Sequence, residues 1–417
     1  MELLYLVNLI FYFALYFYKL RFLSSFFEDK FLNPVWIPFI FVLPVEVFKI
    51  LLGPAYILEE GLFDPYFNYA ILMTNIAGSI NFLIMYFAFR VSSLSPLKVN
   101  FFSEMRLNIH SAIKIAILFY ILYFLFFILL SQHSYGFINW IKNPREGYQF
   151  HRVGAGGFWV IAISCLSVSF CTYTIFVKSF IKIFISLPFY ICSALLLGSK
   201  GVVLDFGIYF IIILWLRRYK YLKKVFLIGV PFTLSLMTFS FLINAEESGD
   251  LEEIVKYFDY YVNSANYYKA YFEGELPLFQ GKIIFTQFWS FIPRSLFPEK
   301  PFVYGVLHIN EFLFPGAAEE THTPGLGGPV AYFGDYGVWG VVLLTLFDPF
   351  IFLNYYFLFI LYRNLTFSNI LNNNYLFFIF MWFVAPSFLF YMYFPLNIVF
   401  FIFVIVTINT ISKLKLM

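Results

Sequence analysis

Long apolar runs recur along this whole chain, and they constrain its fold more than any other feature of the sequence. A helix needs about 20 apolar residues to cross a hydrocarbon core about 30 Å thick, and many of these runs approach that length. Only helices and closed β-barrels satisfy their backbone polar groups in lipid, and strand-like alternation is absent here. With 61% hydrophobic and 12% charged residues, the composition excludes a water-soluble domain. The sequence therefore predicts an all-α polytopic integral membrane protein.

About eleven transmembrane helices account for these apolar runs. We expect them at residues 3–18, 35–57, 69–89, 110–130, 157–176, 183–198, 201–216, 225–243, 337–361, 374–391 and 396–412. The first run has no small-residue cleavage site, so it is predicted to stay as a helix rather than act as a signal peptide. No repeat or low-complexity linker divides the chain, and we expect a single integral membrane domain over residues 1–417.

Lysine and arginine concentrate in the links after the first, third, fifth and seventh predicted spans, as in the run from Arg217 to Lys224. Cytoplasmic loops carry such an excess of basic residues. This bias places the N-terminus outside and the C-terminus inside. Two large external loops follow from this topology, at residues 131–156 and 244–336.

The long loop contains a tyrosine-rich stretch, residues 254–271, whose pattern suits an amphipathic helix. Two interpretations are open. The helix could lie at the membrane interface, where aromatic belts are common. Its tyrosines, among them Tyr260, Tyr267 and Tyr268, could instead form a surface that contacts sugars.

Charge gathers in the same loop between residues 285 and 340, which we take as the wall of an active site. Four basic residues lie on the predicted outer side close to glycine or proline: Arg145, Arg152, Arg294 and Lys300. The positive-inside bias gives no reason to keep them there. The planar fork of arginine suits phosphate oxygens. The alternative is an ordinary salt bridge within each loop, with Glu146 or Glu299 as the partner.

The two outer loops share one construction. In NPREGYQFHRVGAGG ten residues separate Arg145 from Gly156, and in IPRSLFPEKPFVYG ten residues separate Arg294 from Gly305; both arginines follow a proline. With the GSKG turn around Lys200, this pairing resembles the bacterial O-antigen polymerases, which assemble oligosaccharide repeat units into surface polysaccharide. The resemblance covers most of the chain as architecture.

The resemblance implies a glycosyltransferase type C-like fold and block transfer of a growing glycan from undecaprenyl diphosphate onto a new lipid-linked repeat unit. It implies the bacterial inner membrane as location, with the active site on the periplasmic face. Members often have serine-arginine-glycine where this chain has Ser199, Lys200 and Gly201. Lysine keeps the charge but loses the bidentate fork, and the alternative for GSKG is a tight turn. A chain-length-regulating co-polymerase is allowed for as a further partner.

The implied reaction needs a base to deprotonate the attacking sugar hydroxyl. His322 in EETHTPG is the first candidate, since related membrane glycan ligases place a histidine in the corresponding loop and its usual pKa suits neutral pH. The alternatives are Glu319, Glu320 and Asp335. His151 is a weaker candidate, and His308 has the pattern of a helix-packing position.

We expect neither a metal nor a cofactor, because the leaving diphosphate carries its own activation and basic side chains can stabilise its charge. The outer loops contain no Asp-x-Asp pair, and the cysteines Cys165, Cys171 and Cys192 lie in predicted spans. Nucleic acid is not an expected partner.

Two other functions stay open: an O-antigen ligase, which passes the glycan to lipid A core, and a polysaccharide transporter or flippase.

Overall fold

The computed structural model describes residues 2–94, 107–150, 155–231, 235, 259–292, 294, 296–319, 325–384 and 394–413. Within these ranges every regular element is a helix and no residue is in a strand. The all-α fold predicted from the apolar runs is confirmed.

The α-helices follow one another along the chain at Glu2–Ser24, Trp36–Val47, Gly53–Ile57, Pro65–Leu94, Ile109–Ser134, Phe137–Lys142, Pro144–Phe150, Gly156–Phe176, Phe180–Leu196, Lys200–Leu216, Tyr260–Phe272, Lys282–Thr286, Leu307–Leu313, Val330–Leu346, Pro349–Asn364, Phe367–Asn372, Asn374–Val384 and Phe394–Lys413. Residues 222–231 are also helical. A π-helical turn at Phe48–Leu52 and two 3₁₀ turns, Gly61–Phe63 and Gln287–Phe291, complete the described elements.

Six of the described helical segments are long and apolar enough to cross a membrane: Leu3–Ser24, Trp36–Ile57, Pro65–Leu94, Ile109–Ser134, Gly156–Phe176 and Val330–Asn364. They contain or largely overlap six of the predicted spans. Three shorter apolar helices, Phe180–Leu196, Gly201–Leu216 and Val399–Ile411, occupy three more. Predicted span 225–243 lies largely outside the described residues, and predicted span 374–391 is described only through Val384. The total of eleven therefore remains a prediction.

The chain divides into two compact units. Unit 1 comprises Met1–Leu94, Leu234–Ser290 and Pro301–Tyr356, and unit 2 comprises Ser95–Thr233, Phe291–Lys300 and Phe357–Met417. The prediction of a single integral membrane domain stays a prediction.

Amide side chains and aromatic packing hold unit 1 together. Asn8 Nδ2 donates to Asn68 Oδ1 at 2.7 Å, and Asn75 Nδ2 donates to the carbonyl of Asn8 at 2.9 Å, which ties the first span to the third. Such bonds give membrane helices a specific contact where lipid is as apolar as the helix faces. Helix Tyr260–Phe272, called the tyrosine helix below, packs against the Pro65–Leu94 helix in one hydrophobic core.

Unit 2 is built around the Gly156–Phe176 helix, which is buried along nearly its whole length. Ser169 Oγ donates to the carbonyl of Ala116 at 2.7 Å, and the His133 ring stacks on Phe158 with centroids 5.5 Å apart. These contacts place Gly156–Phe176 antiparallel to Ile109–Ser134. Its many glycine, alanine, serine, cysteine and threonine residues let neighbouring backbones approach closely.

Candidate functional site

The first predicted external loop is folded into two short helices, Phe137–Lys142 and Pro144–Phe150. Pro144 begins the second helix, where its missing N–H costs no hydrogen bond. Trp140 is fully buried, and its indole Nε1 donates to the carbonyl of Leu196 at 2.6 Å. Gly147 lies so close to the Trp140 ring that a β-carbon there would leave about 2.4 Å to it, which requires a glycine or a shift of the loop.

The Asn-Pro-Arg segment of this loop packs on the turn that precedes Lys200. Gly198 has a φ of +72°, and a β-carbon at that position would overlap the carbonyl of Pro144. Trp159 Nε1 donates to the carbonyl of Leu197 at 3.2 Å and supports the same turn. The segments that carry Arg145 and Lys200 are therefore neighbours in unit 2, although 55 positions separate the two residues in the sequence.

Arg145 lies in the first turn of its short helix, with its guanidinium 5.4 Å from the centroid of the Tyr148 ring. Tyr148 in turn packs against Trp159, with centroids 5.5 Å apart. The neighbouring Glu146 accepts a hydrogen bond from the Tyr135 hydroxyl, which raises the pKa of Tyr135. Arg152, and His151 beside it, lie outside the described residues.

The second arginine motif forms a loop in which the side chains of Arg294 and Lys300 donate hydrogen bonds to the loop's own backbone carbonyls. Arg294 Nη1 donates to the carbonyls of Lys300 and Pro298, the latter at 3.4 Å. Lys300 Nζ donates to the carbonyl of Ile292 at 3.0 Å. Only 6% of the Lys300 surface is exposed, and burial together with the Arg294 charge lowers the pKa of Lys300 to about 8. Two cations are thus held close together, with Lys300 buried although residues 296–299 between them are exposed.

Phe291–Lys300 belongs to unit 2, although the residues on both sides of it belong to unit 1. Of the predicted diphosphate-binding residues that the structure describes, unit 2 contains Arg145, Lys200, Arg294 and Lys300.

Gly305, the glycine of the second motif, lies in unit 1, where its backbone conformation and close neighbours favour glycine. Its φ is +57°, and a β-carbon there would overlap Oε1 of Gln287. Its N–H donates to Thr286 Oγ1 at 2.8 Å. The corresponding Gly156 is buried at the start of the central helix of unit 2.

Asp335 is 1% exposed and anchors the loop that precedes the arginine motif. Its carboxylate accepts hydrogen bonds from the N–H groups of Gly281, Ile283 and Ile284 at 3.0, 2.9 and 2.8 Å. The helix that carries it is kinked directly afterwards, where Gly337 has a φ of +62°. Both oxygens of this predicted alternative base are therefore already engaged with backbone.

His308 lies in the short helix Leu307–Leu313 of unit 1. Its Nε2 is 3.3 Å from Thr286 Oγ1, and its ring stacks on Phe279 with centroids 6.0 Å apart. Burial and the charge of Lys282 lower the pKa of His308, while Asp335 opposes this effect.

The predicted base His322, with Glu320, lies outside the described residues, whereas Glu319 is described and exposed. The glycine-rich run that follows His322 is bound to the tyrosine helix. Asn263 Nδ2 donates to the carbonyl of Gly325 at 3.0 Å, and a β-carbon on Gly325 would overlap the Tyr260 ring. These contacts hold the described chain from Gly325 onward against the tyrosine helix.

The tyrosine helix is largely buried in unit 1. Tyr267 and Tyr268 are both 0% exposed and pack around Phe333, with ring centroids 6.2 and 4.9 Å from it. Their hydroxyls have no hydrogen-bond partner among the described residues. Tyr260 is half-buried. The predicted contact of these three tyrosines with sugar is not tested by this packing and stays a prediction.

Among curated proteins, the chain is similar to the O-antigen polymerases of Salmonella typhimurium (strain LT2) and Salmonella typhi, each 27% identical over 228 residues. The predicted resemblance is confirmed. The match covers 54% of this chain and 54% of each relative, so the chain spans about half the length of the curated relatives it matches. No protein-family model and no solved structure matches the chain.

Together with the apolar helices, the similarity to O-antigen polymerases identifies a multi-pass membrane protein. Within the described ranges, no group of three or more His, Cys, Asp or Glu side chains is arranged to hold a metal ion.

One charged pair, Glu46 and Lys49, was not among the predicted functional residues. Glu46 and Lys49 lie inside the candidate span Trp36–Ile57, with Lys49 Nζ 3.2 Å from Glu46 Oε1. The signal was present as two opposite charges three residues apart between Pro44 and Pro54 in an otherwise apolar run.

Proposed function

We propose that this protein polymerises lipid-linked oligosaccharide repeat units into O-antigen or a related surface polysaccharide. It moves the growing glycan from undecaprenyl diphosphate onto the terminal sugar of a new repeat unit, which is itself carried on undecaprenyl diphosphate. The grouping of the Arg145 segment, the Lys200 turn and the Arg294–Lys300 loop in one compact unit carries this proposal. The similarity to O-antigen polymerases supports it.

The five predicted basic residues, Arg145, Arg152, Lys200, Arg294 and Lys300, act on the diphosphate. Charge develops on the phosphate oxygens as the bond to the glycan breaks, and cations fixed in advance stabilise that charge without reorganising. Arg145 and Arg294 supply planar donors, and Lys200 and Lys300 supply point charges. Arg152 lies close to Arg145 in sequence and joins them. No divalent metal takes part in this scheme.

His322 removes the proton from the attacking hydroxyl, with Glu319, Glu320 and Asp335 as substitutes. Asp335 and Glu319 differ in their surroundings. Both Asp335 oxygens already accept backbone N–H groups, whereas Glu319 is exposed. A carboxylate with engaged oxygens has less room to accept a substrate proton. Of Glu319 and Asp335, Glu319 is therefore the stronger substitute.

The reaction takes place at the external face of the bacterial inner membrane. The basic links of the predicted topology support this orientation, because such links stay in the cytoplasm. Donor and acceptor are both lipid-linked, the bilayer is part of the environment, and a chain-length-regulating co-polymerase is a further partner in this scheme.

Deletion of the gene in the source bacterium tests the proposal. We expect lipopolysaccharide that carries a single repeat unit, because ligation of unpolymerised units continues. Restoration by the intact gene, and not by one encoding Arg294→Ala, links the phenotype to the site. Lipopolysaccharide with no repeat unit would indicate a ligase instead, and unchanged long chains would exclude both.

A further inference from the structure

The Trp36–Ile57 span is irregular around its charged pair. Pro44 interrupts the hydrogen bonding of the helix, a π-helical turn occupies Phe48–Leu52, and Pro54 follows at the start of the next helix. Glu46 and Lys49 lie between these two prolines, and Lys49 is in the π-helical turn. Single π-helical turns inside longer helices occur frequently at functional sites, because they redirect side chains.

An ion pair is a weak reason by itself for a charged residue to lie within an apolar span. An ion pair in an apolar environment loses hydration that its mutual attraction repays only partly, and apolar replacements are often neutral or stabilising. Ionisable groups inside membrane helices are therefore retained chiefly where they serve a substrate or ion. Both side chains are partly accessible, at 22% for Lys49 and 23% for Glu46.

The contacts of Glu46 are long for a carboxylate in such an environment. Its two oxygens lie 3.2 Å from Lys49 Nζ and 3.5 Å from the Tyr12 hydroxyl. Charge-assisted hydrogen bonds normally shorten to about 2.7–2.9 Å, and a carboxylate offers about four acceptor positions. Glu46 thus has capacity for further hydroxyl donors.

Aromatic and hydroxyl groups surround the pair within unit 1. Lys49 Nζ lies 4.6 Å from the centroid of the Tyr260 ring. The Tyr12 hydroxyl lies beside Glu46. A carboxylate, an ammonium, a tyrosine hydroxyl and an aromatic ring therefore occupy one patch. Because the pair has no net charge, the patch does not favour an anion such as diphosphate. It suits a neutral ligand with several hydroxyl groups and an apolar C–H face.

We propose that Tyr12, Glu46, Lys49 and Tyr260 form a carbohydrate-binding subsite that holds a sugar of the lipid-linked oligosaccharide. The identity of that sugar's carrier rests on the proposed polymerase function. Glu46 accepts bonds from sugar hydroxyls, Lys49 donates to a sugar oxygen, and Tyr260 packs against the C–H face. Tyr260 also contacts Gly325, so the subsite adjoins the glycine-rich run that follows His322 in the sequence.

The test separates sugar binding from diphosphate binding. The purified full-length protein in detergent is titrated with two probes: the repeat-unit oligosaccharide released by mild acid from its lipid carrier in the same bacterium, and farnesyl diphosphate. The double variant Glu46→Gln with Lys49→Met removes the charges and keeps much of the shape. We expect its oligosaccharide affinity to fall at least about tenfold, with farnesyl diphosphate affinity and thermal unfolding unchanged.

Glu59→Gln, an exposed position beyond the end of the same span, is the matched control and should change neither affinity. Unchanged oligosaccharide affinity in the double variant would overturn the subsite, and so would equal loss of both affinities. Failure of the double variant to fold would also overturn it, because the pair would then be structural. If the double variant selectively loses oligosaccharide affinity but gene deletion leaves polysaccharide chains unchanged, the polymerase proposal fails and the subsite stands.

Discussion

Lys300 is a buried lysine that shares its loop with Arg294, and its charge depends on pH near neutrality. Its pKa is lowered to about 8 by burial and by the arginine. The charged form is thus disfavoured in the folded protein relative to the unfolded chain. This destabilisation is fully present below pH 8 and decreases as pH rises above 8. Through Lys300, the free energy of unfolding therefore increases with pH above 8.

Anion binding by Lys300 has the opposite dependence, because only the protonated form attracts diphosphate. Between pH 7 and 9 we expect the affinity of the wild type for farnesyl diphosphate to fall by about tenfold, as a group with this pKa loses its proton. Lys300→Arg should abolish this dependence, since arginine stays charged. Lys282→Arg, at an exposed lysine, is the control and should leave the dependence intact. A wild-type affinity that is flat over this range would show that Lys300 does not contact the anion.

At the level of single elements, Asp335 was predicted as an alternative catalytic base, but its carboxylate connects two helices by hydrogen bonds. It joins the kinked helix Val330–Leu346 to the start of helix Lys282–Thr286 through three backbone N–H groups. In Asp335→Asn the new NH₂ group would face one of those donors. We expect a loss of about 3 kcal/mol of stability, since hydrogen bonds to a buried charge are among the strongest in proteins.

Denaturant unfolding in detergent measures this loss, with Glu273→Gln at an exposed position as the control. The same variant distinguishes the two roles of Asp335. Normal stability combined with lost turnover would identify Asp335 as the base and contradict its role as an anchor of the backbone.

The helices were predictable because a long apolar run is a local property of the sequence. The helix Ile109–Ser134 coincides with a predicted span for this reason. The contact of Gly198 with Pro144 joins distant parts of the chain, and no local pattern indicates it. Burial of Tyr267 and Tyr268 was missed for a related reason: an amphipathic pattern shows that one face is covered but not what covers it.

The candidate site was predictable in part. The spacing of Arg145 and Arg294 pointed to paired motifs, and both now lie in unit 2. Their local partners were not predictable: the Arg294 side chain bonds backbone carbonyls of its own loop, whereas Glu299 had been the expected partner of the alternative interpretation. The Glu46–Lys49 pair was overlooked because an averaged hydropathy hides two charges in an apolar run.

At the scale of the whole molecule, the predicted orientation determines which residues can meet a substrate outside the cytoplasm. Ser248 belongs to the predicted outer loop and lies outside the described residues. With the native cysteines replaced by serine, Ser248→Cys should react with an impermeant maleimide in intact spheroplasts. Lys220→Cys, in a predicted cytoplasmic link, should react only after lysis. The reverse pattern would place the proposed site on the wrong side of the membrane.

In the proposed function, this protein extends a lipid-linked glycan with fixed cations and without a metal. Reconstitution tests it most directly. The purified protein is placed in proteoliposomes with the undecaprenyl-diphosphate-linked repeat unit of its own bacterium, in the presence of EDTA, and the products are separated by size.

We expect a ladder of chains that differ by one repeat unit, with one undecaprenyl diphosphate released for each unit added. Arg145→Ala and Arg294→Ala should each abolish the ladder, and lysine at either position should restore it only in part, because a point charge cannot make two parallel hydrogen bonds. Products that never exceed one repeat unit with the wild type, or full ladders from both alanine variants, would contradict the proposed function.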